Sequence, residues 1–175
     1  MNVKVRPERT ADKKAVEEVN DKAFGQKNEG KLVDALRKKE GFVPELSLVA
    51  EFEGKIIGHI LFFPLPIKDK AGKVVHTTLS LAPVSVLPEL QRKGVGSALV
   101  KEGLKKGGEL GFRSAVVLGH VEYYPRFGFV RADSLGIMPP DENWRPAFFA
   151  MPLKRGGLKG VKGVVDFPKE YIEAG

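Results

Sequence analysis

Between residues 79 and 108 the chain sets an apolar run, a glycine-rich basic turn and an amphipathic run end to end, and this order restricts the fold more than any other feature. Leu79 to Leu87 is nearly all apolar, carries Val84 and Val86, and is closed by Pro88, which predicts a buried strand. From Val95 onward, Ala98, Leu99, Val100 and Leu104 recur at roughly helical spacing. Lys101, Glu102, Lys105 and Lys106 occupy the remaining face, and Gly107-Gly108 reads as the stop. The turn between them, Gln91-Arg92-Lys93-Gly94-Val95-Gly96-Ser97-Ala98, therefore sits at a helix amino terminus. The first N–H groups of a helix lack intrahelical partners and carry the positive end of its dipole, which together make an anion site. Gly94 and Gly96 have no Cβ to hold a phosphate off the main chain, and Gln91, Arg92 and Lys93 add donors and charge at the rim. Taken alone, the pattern reads equally well as a tight strand-to-helix turn. It lacks the Gly-Lys-Ser/Thr ending of a nucleoside triphosphate loop, and the third glycine and trailing acidic residue of a dinucleotide fingerprint.

A second segment narrows the reading. Ser114 to Leu118 is a short apolar strand, followed by Gly119-His120-Val121-Glu122-Tyr123-Tyr124-Pro125-Arg126-Phe127-Gly128-Phe129. Gln91-x-x-Gly94-x-Gly96 together with Tyr124-x-x-x-Gly128-Phe129 resembles the coenzyme A motif and the tyrosine motif of the GCN5-related N-acetyltransferases. The wording Tyr-Tyr-Pro-Arg-Phe-Gly-Phe is most similar to a subgroup of small prokaryotic N-acetyltransferases, and the resemblance extends in element order over residues 1 to 151. It implies an α/β (α+β) fold with a mixed, mostly antiparallel central sheet and helices on both faces, the acyl-CoA N-acyltransferase fold. It also implies acetyl-CoA as cofactor and an acetyl group moved to a primary amine.

Residue by residue, the resemblance gives cofactor binding to Gln91, Arg92, Lys93, Gly94, Val95, Gly96, Ser97 and Ala98, whose main-chain N–H groups would hold the pyrophosphate. It gives Val84 and Val86 the pantetheine arm and the thioester carbonyl, with the Val86 N–H as an oxyanion donor. Tyr124 falls at the general acid position, and a phenol that stays protonated at neutral pH can donate to a departing thiolate. Related enzymes often carry a glutamate on the strand before the glycine motif, whereas Val74 to Leu87 holds no carboxylate. The base is therefore open between His120, Glu122 and a water relay; His59 and His76 read as core or strand histidines. Arg126 faces either the cofactor phosphates or a surface carboxylate, Tyr123 reads as packing, and Phe127 and Phe129 as core.

At 175 residues the chain suits one N-acetyltransferase domain over residues 1–153, followed by a basic tail at 154–175 that adds an edge strand. The tail either folds back or pairs with a second copy in a homodimer. With no cysteine and no membrane-length apolar run or signal core, a cytoplasmic protein without a metal site is expected. The charge of +7 favours anionic partners, but the lysines are scattered and no nucleic-acid-binding signature stands out. Two other readings stay open: a non-catalytic acyl-CoA sensor or scaffold of the same fold, and a basic ribosome- or RNA-associated module.

Around the motifs, a strand at Asn2 to Arg6 ends at Pro7, Thr10 caps a first helix that Gly25 stops, and a second helix runs from Asn28 to Gly41. Leu46 to Phe52 and Lys55 to Phe63 form a hairpin across Glu53-Gly54 that Pro64 and Pro66 terminate, and a turn at Asp69–Lys73 leads into a strand at Val74 to Val86. The tyrosine segment counts as a helix, strands follow at Phe129 to Ala132 and Ala147 to Leu153, and Pro139 to Arg145 is a loop in which Trp144 packs against apolar neighbours.

Overall fold

Glu53 and Gly54 both adopt positive φ, 51° and 79°, the backbone of the tight two-residue turn whose twist matches that of paired strands. The hairpin they close joins β2 (Ser47–Phe52) to β3 (Lys55–Lys68), in register from Phe52↔Lys55 to Ser47↔Leu61. The computed structural model describes residues 1–174, and the chain divides into two units by its internal contacts: residues 1–63, 82–106 and 169–174 in one, 64–81 and 107–168 in the other.

In the first unit β1 (Lys4–Pro7) pairs antiparallel with β2, β2 with β3, and β3 with the distal half of β4 (Val74–Val86). The first helix, α1 (Lys13–Phe24), is not capped by Thr10. Thr10–Asp12 is a short 3-10 turn, and the Asp12 carboxylate closes that turn, accepting the Arg9 N–H at 2.7 Å and the buried Arg6 guanidinium at 2.7 Å, without a side-chain bond to α1 itself. Gly25, at φ 66°, ends the helix as expected, with its N–H on the Asp21 carbonyl. The second helix, α2 (Asn28–Arg37), approaches α1 closely at Gly30, where a Cβ would stand 2.8 Å from Asp21 Oδ1. The long helix α3 (Val95–Glu109) lies directly on β3 in this unit because two glycines clear the way. A Cβ on Gly58 would meet Leu99 and Val95, and a Cβ on Gly103 would fall 2.0 Å from the Phe62 ring.

The second unit orders its strands β6-β8-β5-β4-β3-β9-β7, with β5 (Ser114–Leu118), β6 (Val130–Arg131), β7 (Ile137–Met138), β8 (Phe148–Pro152) and β9 (Gly163–Val165). β4 pairs parallel with β5 and β7 with β9, while β3–β9, β5–β8 and β6–β8 are antiparallel, so the sheet is mixed and mostly antiparallel. Its apolar centre includes Leu65, Ile67, Leu79, Phe129 and Phe148.

Several expectations give way to tertiary context. Pro64 and Pro66 do not end β3, which runs on to Lys68. The Pro66 carbonyl accepts from Asp166 on the β9 side, and β2 reaches no further than Leu61. The prolines therefore lie where β3 passes from β2 to β9, beyond the last β2 pair and before the first β9 pair, so the ring nitrogens interrupt neither register. Gly107 and Gly108 do not stop α3 either: a Cβ on Gly107 would lie 2.7 Å from the Leu79 side chain, so the glycine serves close packing inside the helix. The helix ends at Gly111 (φ 96°), with Phe112 N–H on Gly107 and Gly111 N–H on Gly108, a Schellman arrangement. The tyrosine segment is a 3-10 turn, Tyr124–Phe127, rather than a helix, and Phe127 is only half-buried. In the 154–175 stretch, β9 lies between β3 and β7 instead of at an edge. A final short helix, α4 (Lys169–Ala174), sits on α2 through Asn28 to the Ala174 carbonyl and Lys39 to Glu170.

Candidate functional site

In the first unit β4 leads through a 3-10 turn at Pro88–Leu90 into the glycine loop. The Gln91 side chain folds back to donate to the Val86 carbonyl at 3.0 Å, fastening the loop to the strand it leaves. Arg92 takes a left-handed conformation at φ 63° and Gly94 follows at φ 87°. A left-handed non-glycine residue is uncommon and is held only where its surroundings impose it. A Cβ at Gly94 would meet nothing within 4 Å, so open space adjoins the loop there.

The Ala98 N–H donates to the Gly94 carbonyl at 3.0 Å and begins the ladder of α3. The Ala98 amide is thus committed within the helix, while the Val95 and Gly96 N–H groups lie ahead of the first ladder bond. Buried Val95 pins this end of the helix beside Gly58. Arg92 and Lys93 are exposed, and among the described residues neither has an ion-pair partner. Donor N–H groups, the positive helix end and two uncommitted cations next to open space fit a diphosphate.

The β4 strand adds a second set of donors. Leu87 donates to the Ile57 carbonyl at 2.9 Å, and since successive amides of a strand face opposite edges, the Val86 and Val84 amides face away from β3. On that side the β4–β5 ladder consists of Leu79↔Ala115 and Ser80↔Val116 alone among the described residues, so it stops short of both valines.

In the second unit Tyr124 is buried, 6% exposed, with its ring edge-on to Tyr123 at 5.1 Å and to Phe129 at 5.9 Å. The ring also lies across Gly119, where a Cβ would be 2.4 Å from Tyr124 Cε2. Its hydroxyl makes no hydrogen bond to the described residues. Burial, reinforced by neighbouring Tyr123, pushes the phenol well above its ordinary value, so it holds its proton throughout the neutral range. The loop carrying it is anchored by the Gly119 N–H on Ala147 and by the Tyr123 N–H on the His120 carbonyl.

The three histidines separate by environment. His59 is fully buried, bonded through Nε2 to Ser47 at 2.9 Å, and burial pulls it down to about 4. His76 is half-buried, bonded to Ser114 at 2.8 Å, and lowered first by burial and then by Arg113. His120 and Glu122 are both exposed on the loop before Tyr124. Among the described residues Arg126 has no carboxylate partner, and it stacks over the Tyr123 ring at 5.2 Å and the Phe127 ring at 6.0 Å. Trp144 packs edge-on against Phe167 at 5.4 Å.

Sequence reasoning did not single out Gly119, although its place between a strand end and the tyrosine segment was in view. It also passed over the polar contacts of His59, whose partners come from distant parts of the chain. No helix of the described residues is long and apolar enough to cross a membrane.

The sequence model of the acetyltransferase (GNAT) family matches residues 13–129. The uncharacterized N-acetyltransferase YjhQ of Escherichia coli K12 is 41% identical over 120 residues, covering 68% of this chain and 65% of YjhQ, just under two thirds of that relative. The uncharacterized N-acetyltransferase YhbS of the same strain is 30% identical over 168 residues, covering 95% of this chain and 97% of YhbS. Among solved structures, YhbS from Escherichia coli in complex with CoA superposes with a TM-score of 0.87 at 30% identity, over 98% of this chain and 93% of that one. A GNAT family acetyltransferase from Brucella melitensis in complex with acetyl-CoA gives 0.78 at 32% identity, over 97% and 98%.

Proposed function

Since the chain belongs to the GNAT acetyltransferase family, we propose that it moves the acetyl group of acetyl-CoA to a primary amine, as a cytoplasmic enzyme whose transferase domain spans residues 1–153. The observation that carries this reading is the amino end of α3: Val95 and Gly96 amides ahead of the helix ladder, open space at Gly94, and Arg92 and Lys93 without carboxylate partners among the described residues. Gln91, with its side chain on Val86, holds that loop in place. Ser97 and Ala98 complete the first turn, and the small Ala98 side chain leaves room beside it. CoA and acetyl-CoA in the solved relatives support the same cofactor here.

In this reading the Val84 amide takes the pantetheine arm and the Val86 amide meets the charge that builds on the thioester oxygen, a contribution of about 3 kcal/mol when well aimed. The amine nitrogen bonds to the acetyl carbon, the carbon–sulfur bond breaks, and the sulfur leaves with the electron pair. Tyr124 takes the leaving-group role through its match to the tyrosine motif. A phenol pushed upward is a weaker acid than a free tyrosine and than the thiol itself, so its contribution is a hydrogen bond to sulfur as negative charge develops, and the released thiolate takes its proton from water. The amine gives up its proton to His120, Glu122 or water.

Calorimetric titration with acetyl-CoA tests the cofactor reading, and no heat at millimolar cofactor removes it. Tyr124→Phe should lower kcat by about 100-fold with acetyl-CoA affinity retained; parallel loss of both makes the residue structural. The missing β4 carboxylate keeps the sensor reading in view, and binding without transfer across a broad panel of primary amines would favour it.

A further inference from the structure

A chain of polar side chains runs through the core of the first unit between α2 and β3. The Arg37 guanidinium grips Glu8 with two bonds, 2.9 Å from Nε and 2.7 Å from Nη2. Ser47, at the start of β2, donates to Glu8 Oε1 at 2.8 Å, and His59 Nε2 lies 2.9 Å from the same hydroxyl. Because the hydroxyl proton is used on Glu8, His59 must donate from Nε2, which leaves Nδ1 as acceptor for the Asn20 amide of α1 at 3.4 Å. Register explains the reach: Ser47 is opposite Leu61 and Val49 is opposite His59, so Ser47 and His59 are diagonal neighbours on one face of the β2–β3 pair.

This chain is an odd choice for a stable core. Asn20, Ser47 and His59 are each 0% exposed, and Asn20 Oδ1 has no hydrogen-bond partner. A buried acceptor without a donor is a liability that an apolar residue at 20 would not create. What the chain does provide is direction. It holds β3 at His59 from one side, while the next two residues toward the turn position β4: the Ile57 carbonyl receives Leu87, and Gly58 lets the Ser85 carbonyl approach to 3.0 Å of where its Cβ would be. Val86 stands between those two contacts.

We propose that the Arg37–Glu8–Ser47–His59 chain is a positioning device, which fixes β3 at Ile57–His59 and through it the direction of the Val86 amide on β4. The role of that amide rests on the functional reading above, whereas the mechanical link from Ser47 to β4 does not. None of the four side chains touches a substrate; they act through β3. Both charged members belong to the device: Glu8 is held below the ordinary carboxylate range because Arg37, His59 and Ser47 together outweigh the upward push of burial.

The test is Ser47→Ala, which removes one oxygen, beside Ser47→Thr, which keeps the hydroxyl. In the ligand-free protein, amide hydrogen exchange at Leu87 should speed up about tenfold in Ser47→Ala relative to amides in the middle of α3, and return toward the parent value in Ser47→Thr. In the loaded enzyme, kcat for thiol release from acetyl-CoA with the best amine of the panel should fall about tenfold in Ser47→Ala while KM for acetyl-CoA holds. Exchange that rises by one common factor everywhere, or kcat unchanged at a temperature where the variant is folded, overturns the proposal and leaves the chain a core feature. If the parent protein binds no acetyl-CoA, the functional reading fails and the exchange comparison still decides the link. Should Ser47→Ala not fold, Glu8→Gln weakens the same link without opening a cavity and is read against the same two outcomes.

Discussion

Gly119→Ala is the smallest change that should uncouple the tyrosine from its work. The new Cβ would lie 2.4 Å from Tyr124 Cε2, 3.1 Å from Cδ2 and 3.4 Å from Cζ, so the ring must retreat by about 1 Å to reach ordinary contact. It has little room to do so, being 6% exposed and set against the Phe129 and Tyr123 rings. Gly119 does not have a positive φ, so alanine adds no backbone strain, and the Gly119 N–H bond to Ala147 survives the change. Overpacking of this kind costs about 1–3 kcal/mol, a fall in Tm of about 3–10 °C for a chain of this size. A reacting group displaced by about 1 Å loses on the order of 100-fold in rate, equivalent to about 2.7 kcal/mol of barrier. Thiol release from acetyl-CoA gives kcat, and calorimetry gives the cofactor Kd, which should stay within about threefold because the loop of Gln91–Ala98 is untouched. A lowered Tm with kcat unchanged would show that the ring's position does not matter to the reaction. Neither quantity moving would refute the packing argument itself.

His59 makes folding depend on pH in a defined window. Burial holds it at about 4 when folded against an ordinary 6.5, so between those values the unfolded chain binds the extra proton. Stability should therefore fall as pH drops from about 6.5 to about 4, by on the order of 3 kcal/mol. His59→Gln should flatten that part of the Tm–pH curve, and an unchanged slope would place the acid sensitivity elsewhere. Gly103→Ala sets helix propensity against packing: alanine gains about 1 kcal/mol in a helix interior, but a Cβ 2.0 Å from the Phe62 ring forces the core to shift. A net loss of stability in urea is expected, and a gain would show that the ring yields at little cost.

Local patterning made the strand–turn–helix unit readable, since β4 spans Val74–Val86 as its apolar run implies and α3 opens at Val95 just after the basic turn. These are places where the chain's own periodicity and its Gly or Pro punctuation agree with the fold. The misreadings share one cause. Pro64, Pro66, Gly107 and Gly108 carry strong breaker signals, yet each is tolerated because of what lies alongside: the gap between the β2 and β9 pairings for the prolines, the Leu79 side chain for Gly107 and Leu153 for Gly108. The His59 chain was equally out of reach, since residues 8, 20, 37, 47 and 59 share no spacing and meet only after α1, α2 and the β2–β3 hairpin have formed. Thr10 reads as a cap from its place in the sequence, and the role of Asp12 emerges only once the buried Arg6 and the Arg9 N–H are beside it.

One asymmetry in the first unit bears on what the site can take. Backbone groups left out of ladders need partners, and a protein can meet that need from its own side chains or leave it to a ligand. At the end of β4 the acceptor has been met internally, because Gln91 donates to the Val86 carbonyl. The donors have not been treated the same way: Val84 and Val86 N–H face away from β3, and Val95 and Gly96 N–H precede the ladder that Ala98 begins. Arg92 and Lys93 extend the same bias with positive charge. At the helix end, residues 92 to 96 therefore offer main-chain hydrogens beside two exposed cations, a combination that phosphate oxygens satisfy. Acetyl-CoA brings a diphosphate for the helix end and amide and thioester carbonyls for the strand. The acceptor amine must then be recognised by other elements, and its identity does not bear on whether this stretch holds the donor.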